Sequence, residues 1–280
     1  MANRLLNFKV DNLTDAELSV VNKIIENPEF FISRTITELA KEYYVSESTI
    51  TRLAKHLGFQ NIKKLQMHIY NRAHFLNQNY ETNDSLNLKS IANNMRVYYS
   101  YSIHETVDNI DLNALDGLIN DLIIKKRIFI FGIGSSYLAC RVLNSNLNLI
   151  GYTSFSTEDI HALMVMIQNI TPDDLLIIFS RSGRTKEVQN VIALAEKLNL
   201  VMAIITSNRD LKQLYSFKHF ISFEIHSEDK QRFPAVSSKI VQMLVADIIF
   251  NSILKINPRL NDKIIAANDL TEQWNNIDKK

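Results

Sequence analysis

Two short segments carry the residue types that could hold an anion. The first is Asp174-Leu-Leu-Ile-Ile-Phe-Ser180-Arg-Ser-Gly-Arg-Thr185, an apolar run that breaks into a turn of hydroxyls around one glycine. The run reads as a buried strand, and the pattern resumes beyond it as a helix. A parallel strand that feeds a tight turn aims the first N–H groups of the next helix at whatever sits above the strand end. The partial positive charge of that helix terminus favours a phosphate. Ser180, Ser182 and Thr185 add side-chain donors, and Gly183 removes the β-carbon that would hold a ligand off the backbone. The second segment is Arg127-Ile-Phe-Ile-Phe-Gly-Ile-Gly-Ser-Ser-Tyr137, a β-type run ending in Gly132-x-Gly134 and the hydroxyls of Ser135 and Ser136. Serines and glycines at strand ends are also ordinary turn chemistry. Two such ends in one sheet, however, converge where open α/β folds bind ligands. The spacing between the turns fits strand, helix, strand, helix, strand.

The pair G-x-G-S-S and S-x-S-G-x-T, each after an apolar strand, resembles the sugar isomerase (SIS) domain, a phosphosugar-binding α/β fold. The resemblance implies that Ser136 and the run Ser180, Arg181, Ser182 and Thr185 wrap the phosphate of a sugar phosphate. With the neighbouring turn residues and the two serines expected to open the last long helix, the expected effector set is Ser135, Ser136, Ser180, Arg181, Ser182, Gly183, Thr185, Ser237 and Ser238.

The elements that position these turns occupy only part of the chain. A length of 280 residues suggests about two domains. The formal net charge of +1 excludes a global field for nucleic acid or membrane, so any such contact must come from a local patch. Cys140 is the single cysteine, which excludes an internal disulfide and fits a reducing cytosol. No apolar signal segment opens the chain and no run approaches the ~20 apolar residues of a membrane span. A soluble, cytoplasmic protein without a membrane partner is expected. The histidines lack ligand spacing, so neither a metal nor another cofactor is expected.

The N-terminal portion has a different character. Leu13-Thr-Asp-Ala-Glu17 offers a cap and acidic first turn, and Leu18, Val21, Ile24 and Ile25 follow at helical spacing until Asn27-Pro28 stops the helix. Ile36, Leu39 and Ala40 form the inner face of a second helix, and Val45 closes a tight turn. Ser46 caps a third helix, whose Ile50, Leu53, Ala54 and Leu57 face inward and which Gly58 ends. Two short helices joined by such a turn make a helix-turn-helix. Ser46, Ser48, Thr49, Thr51, Arg52 and Lys55 then form a hydroxyl-rich end followed by two cations, suited to phosphates and base edges in a major groove. Lys63 and Lys64 follow as backbone contacts.

Ile36 to Phe59 resembles the N-terminal DNA-binding module of RpiR-type transcription regulators, on Val45, Ser46, Thr49, Ile50, Arg52, Leu57, Gly58 and Phe59. That family often continues F-x-x-F-K, whereas this chain has Ile62, Leu65 and Gln66, with Lys63 and Lys64 earlier. RpiR-type regulators couple the module to a C-terminal SIS domain. The implied architecture is a helix-turn-helix domain at 1–76, a polar linker at 77–88, and a doubly wound parallel-sheet SIS domain at 89–280. Beyond the two turns, strands are expected near 152–155, 200–205 and 220–225, helices around Ile91–Tyr98 and Leu112–Leu122, and a long helix near Ser237–Leu254.

An alternative is a phosphosugar isomerase, which needs a base between two adjacent carbons. In aminosugar-forming SIS enzymes the resemblance puts a Glu at the opening of the last core helix, where this chain has Ser237 and Ser238. Glu158, Asp159, His161, Glu224, Glu228 and Asp229 are the remaining candidates. S-G-R-T with Arg184 is also seen in an etherase acting on phosphorylated N-acetylmuramic acid. The reading is a non-enzymatic regulator whose partners are operator DNA, as an inverted repeat, and a phosphorylated sugar, in a homodimer or higher homo-oligomer.

Overall fold

The computed structural model describes residues 13–77, 88–223 and 237–275. The chain falls into two compact units, divided between Tyr101 and Ser102.

In the first unit, α1 (Asp15–Glu26) opens on a capping box: Thr14 Oγ1 accepts from the Glu17 N–H, and the Glu17 carboxylate accepts from the Thr14 N–H. Asn27 ends α1, but its side chain also caps a further short helix, α2 (Pro28–Ser33). The Asn-Pro pair is therefore both a stop and a start, because proline has no N–H to lose at a first helical position. A second capping box, Thr35 with Glu38, opens α3 (Ile36–Tyr43). Tyr44 turns the chain in the left-handed region at φ 56, and the Val45 N–H donates to the Ala40 carbonyl. Ser46 then caps α4 (Glu47–His56), and α5 (Ile62–Asn77) follows. Val20, Ile24, Phe31, Leu39, Ile50, Leu53, Leu65 and Ile69 form one core between these helices. Each fully buried aliphatic side chain there is worth about 1.5–3 kcal/mol of transfer free energy. Helix α6 (Leu88–Asn109) begins beyond residues 78–87, so most of the expected linker lies outside the described residues.

The second unit alternates strand and helix. Helix α7 (Leu112–Ile124) precedes β1 (Ile128–Phe131), α8 (Tyr137–Leu149), β2 (Ser154–Thr157), α9 (Ile160–Ile167) and β3 (Leu175–Phe179). Then come α10 (Lys186–Lys197), β4 (Met202–Thr206), α11 (Leu211–Leu214), β5 (His219–Ser222), α12 (Ser237–Ile256) and α13 (Asn261–Asn275). The sheet runs β2-β1-β3-β4-β5 and every pairing is parallel. Side chains alternate between its faces. Ile128, Ile130, Leu175, Ile177 and Phe179 join a core with α7, α8 and α12, whereas Phe129, Phe131, Leu176 and Ile178 join one with α9 and α10. Burial on both faces explains why β1, β3 and β4 read as unbroken apolar runs.

The strand order reverses between β1 and β3, which pair directly with Phe131 opposite Ile178. The crevice above that point is where open α/β sheets take ligands. At the opposite ends of the same strands, Arg127 donates Nε and Nη2 to the two oxygens of buried Asp174, at 3.0 and 2.7 Å. Burial alone would raise that carboxyl, but Arg127 and Thr171 hold it below its usual value.

Candidate functional site

The two hydroxyl turns lie side by side at this switch point. The chain leaves β1 through Gly132, where an added β-carbon would stand 2.8 Å from Cys140 Sγ and 2.9 Å from the Phe179 carbonyl oxygen. Only a bare α-carbon lets the first turn lie so close to the end of β3. A short 3-10 turn over Gly134–Ser136 leads into α8. Ser136 is buried there and Ser135 is exposed.

The second turn is fastened from the β4 side. The Arg181 carbonyl accepts from the Ser207 N–H at 2.9 Å and from the Thr206 and Ser207 hydroxyls at 3.1 and 2.8 Å. The Ser182 carbonyl accepts from Asn208 Nδ2 at 2.8 Å. Because a trans peptide points its C=O and N–H in opposite directions, turning the Arg181 carbonyl toward β4 turns the Ser182 N–H away from it. Ser180 Oγ accepts from the Gly183 N–H, and Ser182 Oγ from the Arg184 N–H, which leaves each hydroxyl proton to donate elsewhere. Gly183 stands at φ +60, and a β-carbon on it would run into the Leu211 side chain.

The caps separate these two helices from most others. Thr14, Asn27, Thr35, Ser46, Asp111 and Asp159 each accept a bond from a first-turn N–H of the helix they precede. Ser136 before α8 and Thr185 before α10 make no such bond. The first N–H groups of both helices are therefore without a side-chain cap at the one place where two helix N-termini flank a switch point. Helix α12, which begins with Ser237 and the buried Ser238, packs against α8 and the Gly134–Ser136 turn. The Thr206–Asn208 clamp was missed in the sequence, although its Thr-Ser-Asn run after a strand is a legible turn signal.

The acidic candidates for catalysis are distributed otherwise. Asp159 is the cap of α9, accepting from the N–H groups of His161 and Ala162 at 2.7 and 3.3 Å, and Glu158 and His161 are exposed. Glu224, Glu228 and Asp229 lie outside the described residues.

In the first unit, α4 presents Ser46, Ser48, Arg52 and Lys55 at the surface, and Lys63 and Lys64 are exposed on the first turn of α5. Thr49 differs from expectation. It is only 8% exposed and its hydroxyl lies 2.9 Å from Ser46 Oγ, because it shares the inner side of α4 with Ile50 and Leu53. Thr51 is half-buried and donates its hydroxyl to the Glu47 carbonyl at 3.0 Å. The hydroxyls of Thr49 and Thr51 thus serve their own helix. Arg52 is 53% exposed, yet its Nε donates to Glu17 at 3.2 Å. Glu17 was legible as an acidic residue in the first turn of α1. Its tie to α4 was not, since the partners lie 35 and 39 positions away.

Comparison with known proteins agrees with this two-part structure. The model for the helix-turn-helix domain of the rpiR family matches residues 2–75, and the SIS domain model matches residues 121–252. An uncharacterized HTH-type transcriptional regulator of Clostridium perfringens is 27% identical over 86% of this chain and 88% of its own. One from Thermotoga maritima is 24% identical over 94% and 96%. Among solved structures, the Vibrio vulnificus NanR protein complexed with ManNAc-6P has a TM-score of 0.60 at 22% identity, covering 98% of this chain and 99% of that one. The chain belongs to the rpiR family of helix-turn-helix transcriptional regulators, with a SIS domain following its DNA-binding region.

Proposed function

We propose that this regulator binds a phosphorylated sugar at the β1–β3 switch point and thereby changes its affinity for operator DNA, controlling genes for that sugar's uptake or breakdown. The observation that carries the reading is the pair of helix N-termini without side-chain caps, α8 and α10, beside a hydroxyl-rich turn. Two positive helix ends and several spare hydroxyl protons suit a dianionic phosphate. Ser135, Ser136, Ser180, Arg181, Ser182, Gly183 and Thr185 make up the phosphate cradle, and Ser237 and Ser238 lie toward the sugar. In functional terms residues 1–76 read DNA, 77–88 connect, and 89–280 take the effector, in a cytoplasmic homodimer on an inverted repeat.

The domain is read as a sensor and not a catalyst. Fold alone does not separate the two. Among the described residues, the acidic candidate Asp159 is engaged as a helix cap, and Glu158 is exposed to water, which does not suit proton abstraction next to a carbonyl. That NanR was solved with ManNAc-6P, together with Arg184 in S-G-R-T, puts N-acylated amino-sugar 6-phosphates first among candidate ligands.

The test is thermal stabilisation of the full chain against phosphorylated sugars and their unphosphorylated counterparts. A ligand present at about 100 times its Kd adds roughly 2.7 kcal/mol to apparent stability. We expect stabilisation by at least one sugar phosphate and none by its free sugar. Equal response to both refutes the phosphate site, and sustained exchange of a ligand's carbonyl-adjacent proton with heavy water refutes the non-catalytic reading.

A further inference from the structure

Among the described residues of the first unit, Glu17 is the most deeply buried charged side chain, with no exposed surface. Both of its oxygens are taken. Oε2 accepts from the N–H and hydroxyl of Thr14, each at 2.9 Å. Oε1 accepts from Arg52 Nε at 3.2 Å, and His56 Nδ1 stands 2.9 Å from it, within ion-pair distance. A carboxylate in the core is tolerated because three hydrogen bonds and the His56 imidazole surround it, and Arg52 and His56 reach it from one face of α4.

The consequence lies on the outer side of that pair. Arg52 has its Nε drawn inward, while among the described residues its two Nη groups take no protein acceptor and about half of its side chain is exposed. A guanidinium is planar, so fixing Nε and the aliphatic stem fixes the direction of the Nη edge as well. An arginine can read the O6 and N7 acceptors of guanine either through Nε with one Nη, or end-on through both Nη groups. Glu17 removes the first mode and leaves the second. We infer that Glu17 is a positioning residue for operator recognition, holding Arg52 so that it meets a guanine end-on through its two Nη groups. Glu17 itself touches no DNA; it acts by sparing Arg52 the loss of side-chain freedom that a flexible arginine would suffer on binding.

The inference rests on the DNA-reading role of α4. It is tested with the full chain and a duplex enriched by the wild-type protein from a random-sequence pool. Base-pair substitutions in that duplex are scored against wild type, Glu17→Gln, Arg52→Lys and the double variant. Arg52→Lys keeps the charge but loses the fork, and should erase preference at one G·C pair by roughly 10-fold or more. Glu17→Gln should lose preference at the same pair, and the double variant should lose no more than either single one. Affinity for random duplex and its salt dependence should hold in Glu17→Gln, since phosphate contacts come from other residues.

If Glu17→Gln does not fold, the wild-type protein answers by side-chain NMR. The Arg52 Nε–H should give a solvent-protected signal that persists when the duplex is added, while the Nη signals shift. A Glu17→Gln profile equal to wild type, a loss spread evenly over all sequences, a loss at a different base pair, or an Arg52 Nε–H that exchanges freely would each overturn the inference while leaving DNA reading intact. Enrichment of no sequence by the wild type would overturn both.

Discussion

Single residues in this chain hold positions that their own types do not reveal. Ser182 accepts a bond from the backbone it belongs to, and Thr185 leaves its helix without a side-chain cap, so both hydroxyls retain a proton for a ligand. Changing both to alanine should weaken sugar-phosphate binding by about 1.5–3 kcal/mol each, as measured by calorimetry, with circular dichroism unchanged. Arg52 requires a more careful substitution than truncation. Arg52→Ala takes a donor from a fully buried carboxylate, so a stability loss of about 1–3 kcal/mol would accompany any change in DNA reading. Glu17 also fixes a pH dependence. Burial alone would raise its carboxyl, but Thr14, Arg52 and His56 hold it below its ordinary 4.5. A depressed folded-state value means stability that is fully present above the unfolded value and lost as pH falls through the folded one. The stability gap between wild type and Glu17→Gln, followed by thermal melts, should therefore narrow as pH drops below about 4.5. A gap that widens on acidification contradicts that account.

At the scale of elements, the position of the site depends on how closely β1 and β3 end together. Gly132 sets that distance, with Cys140 on α8 behind it and the end of β3 beside it. Gly132→Ala should destabilise the second unit by about 1–3 kcal/mol through overpacking and should also weaken the ligand, because the turn must shift. Cys140→Ala in the same chain removes one of the two close contacts but not the Phe179 carbonyl, so it should restore part of the stability and little of the binding. Full recovery of both would show that the glycine serves side-chain packing alone. The buried thiol is inert in this account, since burial pushes its pKa well up and leaves little thiolate. In the first unit, paired capping boxes at α1 and α3 and the serine cap of α4 make the helix-turn-helix locally well specified.

For the molecule as a whole, a regulator of this kind requires coupling between its ligands. A sugar phosphate can alter operator affinity only by binding one state of the protein better than another, and the coupling is reciprocal. The factor by which saturating sugar phosphate changes operator affinity should equal the factor by which operator changes sugar-phosphate affinity, on the order of 5- to 150-fold. Parallel DNA and calorimetric titrations measure both, and a factor of one in both directions removes the sensing role. Much of this organisation was legible in the sequence. The apolar runs of β1 and β3, the two glycine–serine turns, and the caps at residues 14 and 46 are local signals, because strand burial, turn chemistry and capping each act within a few residues. Strand limits moved by about two residues, since hydrogen-bonded pairing and not propensity ends a strand. The inward placement of Thr49, the clamp on the second turn by Thr206, Ser207 and Asn208, and the tie of Glu17 to Arg52 and His56 were decided only in the tertiary structure. The last two turn on which groups from distant parts of the chain complete the hydrogen bonds of a polar group, and the first on which side of α4 meets the rest of the core, and no local pattern encodes either.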